Sequence, residues 1–515
     1  MNRTPSRGAP RARLLPPAIG VAVAVAVELL GLLAPSAGLA AGFADLEESV
    51  QKYVLPNGLT FLVVERHNAP VFSFRTFVDA GGADEVPGIS GIAHMFEHMA
   101  FKGTPTVGVT DAVKEAEALD AVDAAWDAVM AEREKGFACD STLLRAAEDR
   151  FRSAKEHARS FVISNDFSKM LEENGAVGLN ASTSSDQTMY FYSLPSNRLE
   201  FWARLEGDRL TQPVLREFYT ERDVVIEERR LGESRPQGRL FYSFINAAFQ
   251  AHPYGIGTVG FPSDLQKIDR RDALAFFDQH YVGGNITIAV VGDVEFAEVK
   301  RLADTYFSGV KKGPKPPPVR TVEPEHIAEI RIVLEEDTQP VVLMGHHIPS
   351  VSHPDWPAYE LLGDLLGSGR ASRLYQRLVK TDKIASQTWA GAGFPGDKYP
   401  NLLALQAVVA KDATPAQVEE AIQEELTRMI EEGPTQEEVD RVRAGSKSAF
   451  IRGLRSNGGL AGSLAGYEEQ RNDYRLLFRY LENLEKVTPA DIQRVAARTL
   501  ERRNRVVGII QKPTS

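Results

Sequence analysis

Two histidines and a glutamate lie close together in the segment GISGIAHMFEHMAFKGT. His94 and His98 are four residues apart, so on an α-helix their side chains project from the same face, one turn apart. Both imidazoles can then reach one metal ion, and Glu97 lies beside that ion without having to bind it. The helix already has apolar residues such as Phe96, so two further histidines would be poor choices for packing. The segment therefore predicts a metal centre.

The order of these residues, H-x-x-E-H, is the inverse of the H-E-x-x-H motif of zinc peptidases. A catalytic zinc ion usually takes three protein ligands and leaves a fourth position open. The two histidines therefore need a third ligand from another element of the fold. The alternative interpretation is that both histidines are ordinary core or surface residues of a helix.

A helix predicted over Phe218–Arg230 carries two glutamates on one face. Glu221 and Glu228 are seven residues apart, and Val224 and Val225 are expected on the same stripe. Carboxylates on an otherwise apolar stripe need partners. We therefore expect Glu228 to be the third ligand. We expect Glu221 to accept a hydrogen bond from a ligating imidazole and so to fix its orientation.

Other polar residues are weaker candidates for the site. Glu227 and Arg229 are expected to face solvent, and a solvated run of charges is the alternative interpretation of their helix. His252 is a rival ligand, but it lies in the segment AHPYG, which is predicted to be a loop. His346 and His347 alternate on a predicted strand, so they cannot both face one ion. These two histidines are expected to be core or surface residues.

The composition is that of a globular protein. Of the 515 residues, 43% are hydrophobic and 25% are charged. The net charge of -11 argues against a protein that binds nucleic acid by neutralising phosphates. Cys139 is the only cysteine, so no intramolecular disulfide can form and cysteine-rich metal sites are excluded. A metal ion would have to be bound by histidines and carboxylates.

The first 40 residues have the composition of a secretory signal peptide. Four arginines precede an apolar stretch from Pro17 to Ala34, and small residues follow that stretch. A membrane anchor is the alternative, but the stretch is short for a span and contains Glu28. The sequence therefore predicts a leader at residues 1–40 and a periplasmic or extracellular protein. No second apolar run is long enough to cross a membrane.

Two pairs of segments indicate an internal duplication. Leu265–Val291 and Leu484–Ile510 align without gaps at a shift of 219 residues, and each is predicted to form a capped helix followed by a strand. The segments around Pro70 and Pro340 align at a shift of 270 residues. The predicted fold class is α+β, with two related α/β domains, each a sheet with helices packed on one face.

The two shifts differ by 51 residues, so the first copy is expected to contain an insertion of about that length. The charged, alanine-rich segment 109–164 is the candidate. It is predicted to form a helical hairpin from Asp111–Lys135 and Ser141–Val162, with a turn at Gly136. Ser141 is the predicted cap of the second helix.

The domain limits are predicted from the same alignment. The proline-rich segment Gly313–Pro318 (GPKPPP) is the expected interdomain linker. The N-terminal, metal-binding domain is placed at residues 41–312 and the C-terminal domain, without a metal site, at residues 325–515. Residues 313–324 connect them.

The H-x-x-E-H segment, the helix of the form E-R-D-V-V-x-E-E and the duplicated chain together resemble the pitrilysin/insulinase family of zinc metallopeptidases, in particular the mitochondrial processing peptidase type. The resemblance covers Val54 to Lys512. It implies one zinc ion per chain and a metalloendopeptidase that hydrolyses peptides or unfolded segments. It implies that His94, His98 and Glu228 are the zinc ligands. It also implies that Glu97 is the general base and that Glu221 is the supporting carboxylate.

The family resemblance also implies where a substrate binds. Leu179–Ser182 (LNAS) is expected to form an edge strand to which an extended peptide adds. Asn180 and Ala181 would make the contacts directed at the peptide backbone. The two domains are expected to face each other as half of a clamshell, with a second chain closing a chamber.

This sequence departs from the family pattern at two positions of the second copy. Family members often have an arginine and a tyrosine there, seven residues apart, that help to bind substrate, whereas this chain has Val379 and Ser386. Either Arg370, Arg373 or Arg377 substitutes, or a second subunit supplies the pair in a homodimer or heterodimer. We prefer the second interpretation.

A protein of another class has to be weighed against the peptidase. Some relatives of such peptidases are non-catalytic scaffolds that bind or assemble a partner, and these generally lack part of the metal set. Here the two histidines and both glutamates of the expected centre are all present. The sequence therefore favours the enzyme.

Overall fold

The computed structural model describes residues 43–513, and the predicted leader lies outside them. Within these residues the strands form two sheets. The first sheet has the strand order β1-β2-β6-β3-β5-β4, with β1 (Gln51–Val54), β2 (Thr60–Glu65), β3 (Val71–Val78), β4 (Val177–Thr183), β5 (Thr188–Pro195) and β6 (Ile286–Gly292). The second has the order β7-β11-β8-β10-β9, with β7 (Ile330–Glu335), β8 (Val341–Ile348), β9 (Ala385–Phe394), β10 (Asn401–Val409) and β11 (Arg505–Gln511).

Helices surround both sheets. Those of the first copy are α1 (Ile92–Met99), α2 (Ala112–Arg133), α3 (Ser141–Arg159), α4 (Asp166–Glu173), α5 (Leu199–Thr211), α6 (Phe218–Ser234), α7 (Pro236–Ala248), α8 (Pro262–Leu265), α9 (Arg270–His280) and α10 (Phe296–Tyr306). Those of the second copy are α11 (Trp356–Gly367), α12 (Pro415–Glu431), α13 (Gln436–Arg455), α14 (Asn457–Arg471), α15 (Leu476–Glu485) and α16 (Pro489–Thr499). A π-helix covers Tyr375–Thr381. No helix within residues 43–513 combines the length and the apolar character that a membrane span requires.

The duplication appears in the strand pairing. In the first sheet β6 runs parallel to β2 and antiparallel to β3, and in the second β11 runs parallel to β7 and antiparallel to β8. The aligned segments form α9 with β6 and α16 with β11, as the sequence predicts. Asn285 and Asn504, identical in the alignment, each donate a hydrogen bond of 2.9 Å from Nδ2 to the carbonyl of the residue before the helix C-cap. These observations confirm an α+β fold built from two related units.

Each sheet packs against helices of its own copy on one face, as expected. On β3, Phe72 and Phe74 contact Trp202 of α5 at ring-centroid distances of 5.9 and 5.2 Å. The opposite face of the same strand contacts α14 of the second copy, because Gly458 and Gly462 leave room for the side chain of Arg75. A helix from the other copy therefore covers the second face of the first sheet.

The second sheet shows the reciprocal arrangement. Phe244 of α7, a helix of the first copy, lies fully buried against this sheet. A Cβ atom on Gly345 or Gly508 would lie 2.9 Å from the Phe244 ring or from Leu240, so only glycine permits this close approach. One helix of each copy thus packs against the sheet of the other copy.

The connection between the copies is held in place. Residues 313–326 have no regular secondary structure, but Lys315 in this segment contacts both copies. Its Nζ lies 2.7 Å from Asp79 Oδ2 and 3.2 Å from Glu469 Oε2. The limits drawn at residues 312 and 325 stay predictions of the sequence.

The segment predicted to be an insertion forms α2 and α3, which pack against each other and end at residues 133 and 159. The predicted cap of α3 is wrong by one residue: Asp140, not Ser141, is the N-cap. The Asp140 carboxylate accepts hydrogen bonds from the backbone N–H groups of Thr142 and Leu143 at 2.8 and 3.2 Å. An aspartate at the N-cap also carries a charge that is favourable at a helix N-terminus, which a serine lacks.

Candidate metal centre

Helix α1 presents the histidines, and a buried glutamate fixes where the helix begins. Its N-cap is Gly91, which has φ 93° and no side chain that could cap the helix. The Glu85 carboxylate accepts hydrogen bonds from the backbone N–H groups of Gly91 and Ala93 at 2.7 and 2.8 Å. A side chain at Gly91 would place a Cβ atom 2.4 Å from the carbonyl oxygen of Val259, so α1 is also held tightly against that loop.

The three predicted ligands come together in space. One ligand atom each of His94, His98 and Glu228 lie within 4.8 Å of one another. Glu228 Oε2 is 3.4 Å from His98 Nε2 and 3.9 Å from His94 Nε2. The imidazole rings stand nearly perpendicular, with centroids 4.9 Å apart. Two imidazoles and one carboxylate are a donor set that catalytic zinc sites use, so the residues present fit a zinc ion.

Glu97 lies at the edge of this group. Its Oε2 is 3.9 Å from His94 Nε2, so it is near the ligands without belonging to the set of three. Burial raises the pKa of Glu97, against the opposing effects of Thr183 and His98. Thr183 ends strand β4, so Glu97 lies between the ligand group and the edge of the sheet.

Glu221 lies behind His98, on the side away from Glu228. Its Oε2 is 3.5 Å from His98 Nδ1, while His98 Nε2 faces Glu228. The contact with His98 and an ion pair with Lys102 lower the pKa of Glu221. The same contact raises the pKa of His98. A carboxylate at Nδ1 favours the tautomer in which Nε2 is free to bind a metal ion.

The buried face of α6 differs from the predicted stripe. Val225 is buried, but Val224 is 46% exposed, and Arg229, expected in solvent, is buried. The Arg229 guanidinium lies 3.4 Å from the centre of the Tyr242 ring and donates a hydrogen bond to a backbone carbonyl, which offsets the cost of burying its charge. Glu227 is exposed, as expected.

The predicted substrate strand is at the edge of the first sheet. Strand β4 pairs with β5 on one side, and no other strand of the described sheet pairs with its second side. Asn180 lies opposite Phe191 and is exposed, whereas Ala181 lies opposite Tyr190 and is buried. Helix α1 packs beside β4, so the open edge is next to the ligand group. The roles of Asn180 and Ala181 stay predictions.

The remaining histidines considered from the sequence do not join a metal group within residues 43–513. His252 is buried, and its Nδ1 accepts a hydrogen bond of 3.2 Å from the backbone N–H of Tyr254. His346 is fully buried, and burial lowers its pKa to about 3. His347 contacts the carbonyl oxygen of Ala248 at 3.0 Å.

Val379 and Ser386 stand at the two positions of the second copy where this sequence differs from the family pattern. Val379 packs against the core of that copy, and Ser386 lies on β9. Arg373 makes a two-pronged contact with Glu438 at 2.8 and 2.9 Å, and Arg377 pairs with acidic residues of its own copy. Arg370 is exposed. Two of the three candidate arginines are therefore already bound to carboxylates.

Sequence reasoning missed several residues around the centre. Glu85 caps α1 from outside the helix, and no local pattern indicates it. Lys102 follows His98 by four residues, and Glu217 precedes Glu221 by four, so helical spacing was a usable signal for both. Arg216 is buried beside them, and its partners are far away in the sequence.

Profiles of known protein families match most of both copies. The insulinase (peptidase family M16) profile matches residues 60–129 and 161–260, and the profile described as peptidase M16 inactive domain matches residues 267–446. The chain belongs to peptidase family M16. The unmatched residues 130–160 between the two parts of the first match lie within the predicted insertion, whereas most of α2 lies within the matched residues.

Individual relatives agree with this assignment. The zinc protease PqqE of Helicobacter pylori is 28% identical over 87% of this chain and 89% of its own length. The zinc protease ML0855 of Mycobacterium leprae is 24% identical over 88% of this chain and 90% of its own length. The relatives are named zinc proteases, in agreement with the donor set found here.

Solved structures share the fold over nearly all of the described chain. A protease from Helicobacter pylori has a TM-score of 0.74 at 26% identity and covers 90% of this chain and 99% of its own. A peptidase M16 inactive domain from Pseudomonas fluorescens has a TM-score of 0.70 at 16% identity, with coverages of 90% and 98%. The periplasmic protease PqqL of Escherichia coli has a TM-score of 0.66 at 16% identity, with coverages of 90% and 48%. The latter two show the fold alone.

Proposed function

We propose that this protein is a zinc-dependent endopeptidase. The observation that carries the proposal is the convergence of His94, His98 and Glu228, with Glu97 at the edge of the group. Membership of peptidase family M16 and relatives named zinc proteases support it. All the groups that metal-assisted amide hydrolysis requires are present in one copy.

His94, His98 and Glu228 would hold the zinc ion, which as a Lewis acid would polarise a scissile carbonyl and lower the pKa of bound water to about 7. Residues of the chain transfer the proton and orient a metal ligand. Glu97 accepts the proton of the attacking water and delivers it to the leaving amine. Glu221 holds the His98 ring in the orientation that leaves Nε2 facing the ligand group.

The substrate is proposed to be an extended peptide or an unfolded segment. The unpaired edge of β4 offers backbone hydrogen-bonding groups next to Glu97, and strand addition uses such groups independently of the side chains. Asn180 and Ala181 would direct these contacts. A folded protein cannot present an extended strand there without unfolding locally, so unfolded segments are the substrates that this edge suits.

Two finer points belong to the same proposal. A second chain, identical or related, closes the cleft and supplies the arginine and tyrosine whose places are taken by Val379 and Ser386. The protein is exported, which the leader-like composition of residues 1–40 and the periplasmic location of the Escherichia coli neighbour support. Light scattering of the purified protein, alone and with a co-purifying chain, tests the first point, and fractionation of cells tests the second.

The central test combines metal analysis with peptide cleavage. Purified protein is expected to contain one zinc ion per chain and to cleave a library of quenched fluorescent peptides. A chelator should abolish the cleavage, and added zinc should restore it. Zinc-loaded protein that cleaves no member of the library but retains a partner would instead favour the non-catalytic scaffold.

A further inference from the structure

The inserted hairpin packs directly against the helix that carries Glu228. Tyr219, in the first turn of α6, contacts Trp126 of α2 and Phe151 of α3 at ring-centroid distances of 5.5 and 5.1 Å. All three aromatic side chains are buried. The insertion is therefore part of the packing around α6, although its tip extends into solvent, where Phe137 is fully exposed.

Arg216, just before α6, joins the insertion to the loop that follows α1. Only 1% of its side-chain surface is exposed, so the guanidinium is shielded from solvent. The guanidinium donates to both carboxylate oxygens of Glu115, in α2, at 2.7 and 2.9 Å. It also donates to the carbonyl oxygens of Lys102, Val107 and Thr104 at 2.6, 2.8 and 3.1 Å. All five N–H groups of the guanidinium thus have acceptors.

The loop after α1 is shaped to close around this guanidinium. Gly103 and Gly108 have φ values of 99° and 82°, which other residues rarely adopt. A Cβ atom at either position would lie 2.4 or 2.9 Å from Arg216 Nη1. Arg216, paired with its counter-charge Glu115, therefore holds the backbone of Lys102 through the Lys102 carbonyl oxygen.

Lys102 connects this loop to the metal centre. Its ammonium group pairs with Glu221 Oε1 and lies 3.3 Å from Glu217 Oε2. The other oxygen of Glu221 faces His98 Nδ1 at 3.5 Å. A continuous series of contacts thus runs from Glu115 in α2 through Arg216, Lys102 and Glu221 to a proposed zinc ligand.

We propose that α2, the first helix of the predicted insertion, is a working part of the metal centre, in which Glu115, through Arg216 and Lys102, positions Glu221 against His98. The inference rests on the proposed function, because it concerns the zinc affinity of that centre. Lys102, Arg216 and Glu115 are positioning residues and do not touch substrate. Residues that orient a metal ligand typically change metal affinity by about 10- to 100-fold when replaced.

The test measures the zinc affinity of the full chain, stripped of metal, by competition with a chromogenic chelator. Lys102→Met is expected to weaken zinc binding by about tenfold. Lys102→Arg, which keeps the charge, is expected to restore most of the affinity. Glu115→Gln removes the charge that holds Arg216 but keeps the size of the side chain, and it should weaken zinc binding in the same direction.

Lys155→Met is the matched control. Lys155 also joins the predicted insertion to α6, with its Nζ 3.9 Å from Asp223, but within residues 43–513 Asp223 is not part of the ligand group and forms no ion pair with His94 or His98. This variant is expected to bind zinc as the wild type does. Peptide cleavage at saturating zinc gives a second measure, in which kcat should fall for Lys102→Met with KM little changed, because the peptide edge is not altered.

The outcomes separate the inference from the function on which it rests. Wild-type protein that binds no zinc would overturn both. Wild-type zinc binding together with unaltered affinity in Lys102→Met and Glu115→Gln would overturn the inference alone. A Glu115→Gln variant that unfolds at lower temperature yet binds zinc normally would give the insertion a structural role only, and would also overturn the inference.

Discussion

The two copies place different side chains on the helix that packs beside the edge strand of their sheet. In the first copy α1 carries His94 and His98, four residues apart, beside the edge strand β4. In the second copy α11 packs beside the edge strand β9 and carries Glu360 and Asp364 at the same spacing. Two histidines at this spacing can bind one metal ion, whereas these two acids accept hydrogen bonds from side chains of neighbouring helices.

Hydroxyl groups satisfy the acids of the second copy. Asp364 accepts a hydrogen bond of 2.7 Å from Ser446 of α13, and Glu360 accepts one from Tyr480 of α15. Burial raises the pKa of Glu360 to about 6. Within residues 43–513, the ligand group that could hold a metal ion lies in the first copy. The comparison teaches that the fold places a helix beside an edge strand twice, while the side chains on that helix and on its neighbours decide which place can hold a metal ion.

The largest expected effect comes from removing a proposed ligand in the first copy. His98→Ala should lose bound zinc and all cleavage, because two donors hold zinc far less tightly than three. Asp364→Asn, a change on helix α11 of the second copy, should keep both. Zinc content by mass spectrometry and peptide cleavage check this, and zinc retained by His98→Ala would break the distinction between the copies.

The next effect separates metal binding from proton transfer. Glu97→Gln should retain zinc but lower kcat by about 100- to 10,000-fold, because the amide cannot accept the proton of the attacking water. Glu360→Gln is the control from the second copy, since its amide oxygen still accepts the hydrogen bond from Tyr480. Cleavage at the wild-type rate by Glu97→Gln would remove Glu97 from the mechanism.

A stability experiment tests the exchange of helices between the copies. Phe244→Ala should lower the free energy of unfolding by about 3–5 kcal/mol, because the ring is fully buried between α7 and the second sheet. Phe137→Ala, at the exposed tip of the insertion, should leave stability unchanged. Urea unfolding of both variants provides the measurement, and similar stabilities would contradict the packing described for α7.

The smallest expected effect is the pH dependence caused by Glu360. Its pKa is raised from 4.5 to about 6 in the folded protein, so the folded state binds the proton more tightly than the unfolded state does. The stability contributed by Glu360 is therefore present below pH 4.5 and is lost as the pH rises through about 6.

The corresponding loss is about 2 kcal/mol, and Glu360→Gln should lack it. Urea unfolding of wild type and variant at pH 4.5 and pH 7 measures the difference. An identical change with pH in both proteins would show that the hydrogen bond from Tyr480 leaves Glu360 ionised in the folded state.

The sequence predicted the features that depend on spacing within one element. Separations of four residues from His94 to His98 and of seven from Glu221 to Glu228 fix which side chains share a helix face, and the structure brings these faces together. The repeat spacing likewise predicted two related units, which the strand pairing confirms, whereas the length of the insertion stays a prediction. These are properties of helical and strand geometry that hold before any tertiary contact forms.

Features that depend on which distant residues pack against a helix or strand could not be predicted from spacing within that element. Arg229 was expected in solvent, but α7 and the loop at Gly260 offer it an aromatic ring and a carbonyl. Arg216 and Glu115 are 101 residues apart, and nothing local to either indicates the other. The cap at Asp140 was missed for a smaller reason, because serine and aspartate are adjacent and both are good caps.

The reciprocal placement of α7 and α14 has a consequence for how this protein is made. Either half produced alone would expose the apolar or glycine-lined sheet face that the other half normally covers, and would aggregate or stay unfolded. Two fragments cut within residues 313–326 should become soluble only when expressed together, each completing the other. The proline-rich connection then links two halves that each need the other to fold, and its main effect is to raise the effective concentration of one half near the other.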